Sequence, residues 1–171
     1  MSISNSNANF PTIYMKMPGV DGFVTEKNHK NWIQLTDIQF NIKRDLHTQT
    51  GHMANREMSK PSFSSIAFRR NHDSVGAMLA QEACAGSSKD TVVLHICKTG
   101  SKELKVETEI TLKDVFVNAW GVSTDASDDS KAESGSLNFA HIEIKGFPYD
   151  AQGKQQTPQS FAYDLATAQP A

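Results

Sequence analysis

Leu104-Lys105-Val106-Glu107-Thr108-Glu109-Ile110-Thr111-Leu112-Lys113-Asp114-Val115-Phe116-Val117-Asn118-Ala119 decides how this chain folds. Leu104, Val106, Thr108, Ile110 and Leu112 alternate with Lys105, Glu107, Glu109, Thr111 and Lys113. A period of two places these sets on opposite faces of a strand, one covered and one charged. After Lys113 the phase slips, because Val115, Val117 and Ala119 take the other parity. Lys113-Asp114 is poor hairpin chemistry, since a two-residue turn asks for Gly or Asn at positive φ. The spacing predicts one long bent strand with a β-bulge at this point, where an extra residue re-phases the faces.

Outward from this strand the pattern stays β-rich. Ile13, Met15 and Met17 alternate with Tyr14 and Lys16, then Pro18-Gly19 and Asp21-Gly22 turn the chain. A polar loop, Phe23 to Asn31, follows. Trp32 to Ile42 reads as a second strand with a phase change near Thr36-Asp37. Ser62 to Arg70 reads as a third. Thr91 to Cys97 is apolar on both faces, which predicts cover on both sides: the domain core on one, a helix or a neighbouring subunit on the other. Leu137 to Ile144 and Phe161 to Leu165 supply further strands.

Helical spacing is confined to Val75, Met78, Leu79 and Ala83, with Asp73 or Ser74 as N-cap and Gly86 as the stop. Three segments lack a regular apolar pattern: Lys43 to Pro61, the acidic Ser-rich stretch Ser123 to Ser134, and Gly146 to Gln159. All three read as loops. The expected fold is therefore mainly β: an antiparallel β-barrel of two packed sheets with one short flanking α-helix. The whole chain, 1–171, reads as a single domain with a flexible leader at 1–10 and a small tail at 166–171.

Composition narrows function. A net charge of −2 with lysines and acids spread along the chain argues against general nucleic-acid binding. No apolar run is long enough to span a bilayer, so membrane insertion is not expected. The N-terminal stretch lacks the basic and apolar regions of a secretory signal, which points to synthesis and folding in the cytoplasm. Cys84 and Cys97 are too few for a disulfide framework; they read as small packed hydrophobes, with a bridge between them the alternative.

Catalytic and metal signals are weak. His47, His52 and His72 match no zinc spacing. Cys84, His95 and Cys97 would make three soft ligands only if the helix end met the strand. Gly121-Val122-Ser123-Thr124-Asp125 lacks the second glycine of a nucleophile elbow. No phosphate-binding or dinucleotide glycine motif occurs. The expectation is a chain with no catalytic residues, no metal and no cofactor.

Several blocks together resemble the haemolysin-coregulated protein (Hcp) family of bacterial type VI secretion systems. Tyr14-Met15-Lys16-Met17-Pro18-Gly19-Val20-Asp21-Gly22 is similar to the family's opening strand and glycine-spaced turn. His29-Lys30-Asn31-Trp32-Ile33 is similar to its His-x-x-Trp-Ile segment. Leu79 through Ala83-Cys84-Ala85-Gly86 resembles the end of its helix. Leu112-Lys113-Asp114-Val115-Phe116-Val117 resembles its bent strand. Ser136-Leu137-Asn138-Phe139 and Tyr163-Asp164-Leu165 resemble its later strands. The chain departs from the family where Tyr163 stands for the usual Trp, where Ile142-Glu143-Ile144 lacks aromatics, and over Lys43 to Pro61.

The resemblance implies a β-barrel subunit that forms homohexameric rings. The rings would stack into a tube, meet spike-tip and sheath components, and carry effector proteins in the lumen. It also implies a protein made in the bacterial cytoplasm and then secreted without a cleaved signal peptide. It transfers no catalytic residue. A ring needs two different contact surfaces. Val93, Leu94, His95, Trp32 and Trp120 are the residues expected at the ring interface or in the core. The Lys43–Pro61 segment, with Arg44, Asp45, Arg56, Glu57 and Lys60, is the expected stacking loop. Two other readings compete: a monomeric β-barrel module binding a peptide or sugar, and a small metal-dependent enzyme using the histidines.

Overall fold

The structure, a computed structural model, describes residues 11–47, 57–100 and 103–171. The expected leader, 1–10, lies outside them, as do His52 and Arg56. In chain order the elements are β1 (Thr12–Lys16), β2 (Ile33–Leu35), β3 (Asp37–Gln39), β4 (Ile42–Lys43), β5 (Leu46–His47), β6 (Glu57–Met58), β7 (Ser62–Phe63) and β8 (Ile66–Asn71). Then come α1 (Val75–Ala85), β9 (Lys89–Thr99), β10 (Leu104–Asp125), β11 (Asp128–Asn138), β12 (His141–Gly146), β13 (Gln159–Asp164) and β14 (Gln169–Pro170). No helix among them is long and apolar enough to cross a membrane.

β10 is one strand of 22 residues, and the architecture hangs on it. Its first half lies between β9 and β12, in a sheet ordered β2-β1-β9-β10-β12-β13-β14. Its second half pairs with β11 in another sheet, ordered β10-β11-β8-β3. All pairs are antiparallel. The phase slip at Lys113-Asp114 is real: Leu112 and Val115 are both buried, with two exposed residues between them. Asp114 makes the slip by taking φ of 51°, a left-handed conformation that Asp tolerates better than most residues. The ladder to β9 keeps its register there, so the extra-residue bulge is not at this point. Register shifts fall instead between Val106 and Thr108 and between Val117 and Ala119. The bent strand stands as expected; its bulges lie on either side of the bend.

Among the described residues the two sheets and the one helix agree with the sequence-based fold, and the strand pairing is open, ending on β3 and β14, with β2 a further edge. These hydrogen bonds therefore do not make the closed ring of a barrel. Trp32–Ile42 is not one strand. It breaks at Thr36, where β2 stays in the first sheet and β3 enters the second, and the Thr36 N–H donates to the Arg69 carbonyl at 2.8 Å.

The core lies between the sheets. Ile33, Met15, Leu94 and Ile110 form one continuous cross-strand row and all are buried. Phe68, Leu137, Val115 and Val117 close it from the second sheet. Each such side chain contributes about 1.5–3 kcal/mol by leaving water. α1 packs Val75 and Leu79 into this core. Its first free N–H groups are met by Asp73, whose Oδ1 accepts from Val75 N–H at 2.8 Å; Ser74 makes no side-chain cap. Gly86 ends it at φ 63°.

Two expected loops are β-structure. Ser123–Ser134 forms the end of the β10–β11 hairpin, whose turn is set by Asp125 Oδ1 accepting from the N–H and O–H of Ser127 at 2.9 and 2.6 Å. The flanks of Lys43–Pro61 pair as β4 with β7 and β5 with β6, forming an extended arm. Gly146–Gln159 does remain mostly irregular. The register of β8 fixes where arm and hairpin stand. Ile66 faces Leu137 next to the arm, whereas Asn71 faces Ala132 next to the hairpin turn. Arm and hairpin thus leave the second sheet at opposite ends.

Candidate functional site

The outward face of the first sheet carries the densest polar cluster. Tyr14, His95, Glu109 and Lys145 sit side by side on β1, β9, β10 and β12. The chain folds its own segment 21–32 across this row. Gly22 N–H donates to Asn31 O at 2.8 Å and Asn31 N–H to Val24 O at 2.9 Å. Glycine is required at 22, because a β-carbon there would collide with the Trp32 carbonyl. Asn31 accepts φ of 64° at the base of the segment.

The segment delivers His29 and Trp32 onto the sheet. His29 is buried, 4.6 Å from the Tyr14 ring and 4.8 Å from Trp32 between centroids. Trp32 lies over His95 at 4.7 Å. A chain of polar contacts then runs across the face. Glu26 Oε2 meets His29 Nδ1 at 2.5 Å. His29 Nε2 meets His95 Nδ1 at 2.8 Å, and His95 Nε2 meets Glu109 Oε2 at 2.9 Å. All four ring nitrogens of the two histidines thereby have a polar partner.

Burial pushes His95 below the ordinary imidazole value, with Glu109 opposing it. Burial disfavours charge on Glu26 as well, yet its bonds to His29 and to the Asn28 N–H bring it below the usual glutamate value. Cys97 Sγ lies 4.0 Å from His29 Nε2, and burial raises its thiol to about 11, so it stays protonated and inert. Beside His95 opens a groove of about 310 Å³, lined by Leu104, Lys105, Phe147 and Tyr149.

A second cluster lies at the start of α1. The Glu133 carboxylate is fully buried; Arg70 Nη1 donates to it at 2.6 Å and His72 Nδ1 contacts it at 2.6 Å. Arg70 Nη2 also meets Asp73 at 2.5 Å. Burial alone would lower the Arg70 pKa, and its bonds to Asp73 and Glu133 raise it instead. The cluster ties the hairpin to the helix and is structural in its geometry.

The residues singled out in the sequence are placed as follows. Leu94 is fully buried in the core. Val93 is half-buried on the outward face, and His95 is half-buried under Trp32. Half-buried Trp120 packs against the core, and its Nε1 is buried without a hydrogen-bond partner among the described residues. Arg44, Asp45 and Lys60 are exposed on the arm, and Glu57 is in β6. Cys84 is exposed and Cys97 buried, both as free thiols. Among the described residues no three His, Cys, Asp or Glu side chains are arranged to hold a metal ion. The His29–His95 pairing had a signal in the His-x-x-Trp spacing, but its partner is 66 residues away. Glu133 had none, lying in what read as a solvated loop.

Comparison with known families decides the relationship. A family model described as type VI secretion system effector, Hcp, matches residues 14–145. The chain belongs to the Hcp family. Solved structures share its fold. A type six secretion system protein superposes with a TM-score of 0.87 at 20% identity, covering 95% of this chain and 100% of that one. Hcp1 from Salmonella typhimurium gives 0.74 at 20% identity over 94% and 99% of the two chains. A type VI secretion system effector from Yersinia pestis gives 0.68 at 17% identity over 89% and 98%. No curated protein sequence matches significantly. The Hcp match begins at Tyr14, in the polar row, and ends at Lys145, its last member.

Proposed function

We propose that this Hcp-family chain is a structural subunit of the type VI secretion inner tube. Six copies close into a ring, rings stack, and the lumen carries effector proteins outward. The chain is made in the bacterial cytoplasm and exported through the system itself, with spike-tip and sheath components as its further partners. The single observation that carries this reading is the family match over residues 14–145. The fold supports it physically. A wall subunit benefits from a stiff two-sheet body, and the continuity of β2 into β3 through Thr36 would let the two sheets act together as a barrel. A subunit that both closes rings and stacks them needs separate surfaces, and arm and hairpin stand at opposite ends.

The experiment is negative-stain electron microscopy of the purified protein with sedimentation analysis. Sixfold rings and short tubes are the expected result. The competing reading is a monomeric peptide- or sugar-binding module, favoured by the groove of about 310 Å³ beside His95. A lone particle at every concentration tested would reject the tube and favour that module.

A further inference from the structure

The base of the arm carries a groove of about 300 Å³, lined by Ile42, Lys43, Arg44, Phe63, Phe161 and Tyr163. It is apolar at the floor, where Phe63 and Phe161 flank Tyr163 at 4.9 and 6.5 Å. It is basic at the rim, through Lys43 and Arg44. Ile42 and Phe161 are 44% and 43% exposed, large apolar side chains left in water. The end of the second sheet away from the arm carries the converse chemistry. The β10–β11 hairpin ends in Asp125-Ala126-Ser127-Asp128-Asp129, and just before it Val122 is 50% exposed.

We propose that the hairpin tip of one copy of this chain docks into the arm-base groove of the next copy. The inference rests on the tube reading and deepens it by assigning the surfaces of the stacking contact. Val122 would cover the Ile42–Phe161 floor, and the acidic turn would meet the Lys43–Arg44 rim. The register of β8 makes the contact polar in direction. The groove is at the Ile66 end and the tip at the Asn71 end, so neither surface can satisfy itself within one molecule. A contact between unlike surfaces repeats head to tail and propagates along an axis, instead of stopping at a pair. Each contact is small and salt-sensitive, and repetition round a ring multiplies it.

The test is a charge exchange in the full chain, read by electron microscopy and by sedimentation of tubes. Lys43→Glu/Arg44→Glu should leave rings intact and reduce stacked rings roughly tenfold or more, since many weak contacts are lost at once. Asp125→Lys should do the same. Mixing the two variants should restore alternating stacks, which neither forms alone. A crosslink separates the occupants of the groove. In a Cys84→Ser background, Ile42→Cys and Val122→Cys chains should form a mixed disulfide. Unchanged stacking in both charge variants, or an Ile42→Cys chain that crosslinks to itself in place of Val122→Cys, overturns the proposal. If the unmodified chain forms no ring, the tube reading falls first; if it forms tubes that ignore the exchange, only this contact falls.

Discussion

Gly76 in the first turn of the helix lies against the Glu133 carboxylate so closely that a β-carbon at position 76 would collide with it. In an exposed helix, Gly→Ala is worth about 1 kcal/mol of added stability. Here the sign reverses. Glu133 is held by Arg70 and His72 and has no room to retreat. Gly76→Ala is expected to destabilise the fold by about 1–3 kcal/mol, the usual cost of overpacking. Urea unfolding followed by circular dichroism measures it.

Removing the charge from the other side should cost more. Glu133→Leu leaves the buried Arg70 guanidinium with Asp73 as its remaining acid. Breaking one partner of a buried pair typically costs about 3–5 kcal/mol. The same urea titration applies, and a loss below about 1 kcal/mol would mean that the pair is solvated after all.

The imidazole pair predicts a pH dependence. The folded chain holds His95 below its ordinary value, so the unfolded chain takes up that proton first as pH falls. Stability linked to this group is complete above about 6.5 and is lost as pH falls through the lowered folded value. The melting temperature is therefore expected to fall between pH 7 and pH 5, with segment 21–32 exchanging amide hydrogens first. His95→Gln should flatten that slope. An equal slope in wild type and variant would remove His95 from the explanation.

Leu94 tests the core. It is fully buried in the cross-strand row with Met15 and Ile110. Leu94→Ala should cost about 2–5 kcal/mol. Leu94→Asp buries an unpaired charge and should abolish folding or assembly. A soluble ring formed by the Asp variant would show that β9 is not core.

Much of the fold was legible because burial imposes a period. The bent strand, the opening strand and the helix stop at Gly86 each follow from spacing plus one turn residue. The bulge was misplaced because Asp114 turns the backbone by φ alone, without an added residue, and sequence phase cannot tell these apart. The hairpin end and the arm read as loops because they extend beyond the core, where neither face must be apolar. The cover on β9 was half legible. Its apolar outer face demanded a partner, and the sequence could not say that the partner is the chain's own His29 and Trp32. Glu133 was invisible, since a buried acid is specified only by distant Arg70 and His72.

Deleting most of 43–61 should leave rings and shorten tubes. Among the described residues the arm pairs only with itself, through β4–β7 and β5–β6, so its loss removes none of the described strands of either sheet. Electron microscopy distinguishes rings from tubes directly. Tubes of unchanged length in the deletion would take the arm out of stacking.

β10 runs unbroken from one sheet into the other, bonded to β9 and β12 in its first half and to β11 in its second. The sheets are thus joined by main-chain covalent bonds as well as by side-chain packing. A force along this strand loads its ladders in shear, so that all their bonds resist together; a force across it would open them one at a time. Resistance to a pull is thus greatest where the pull follows β10, the one strand whose backbone belongs to both sheets.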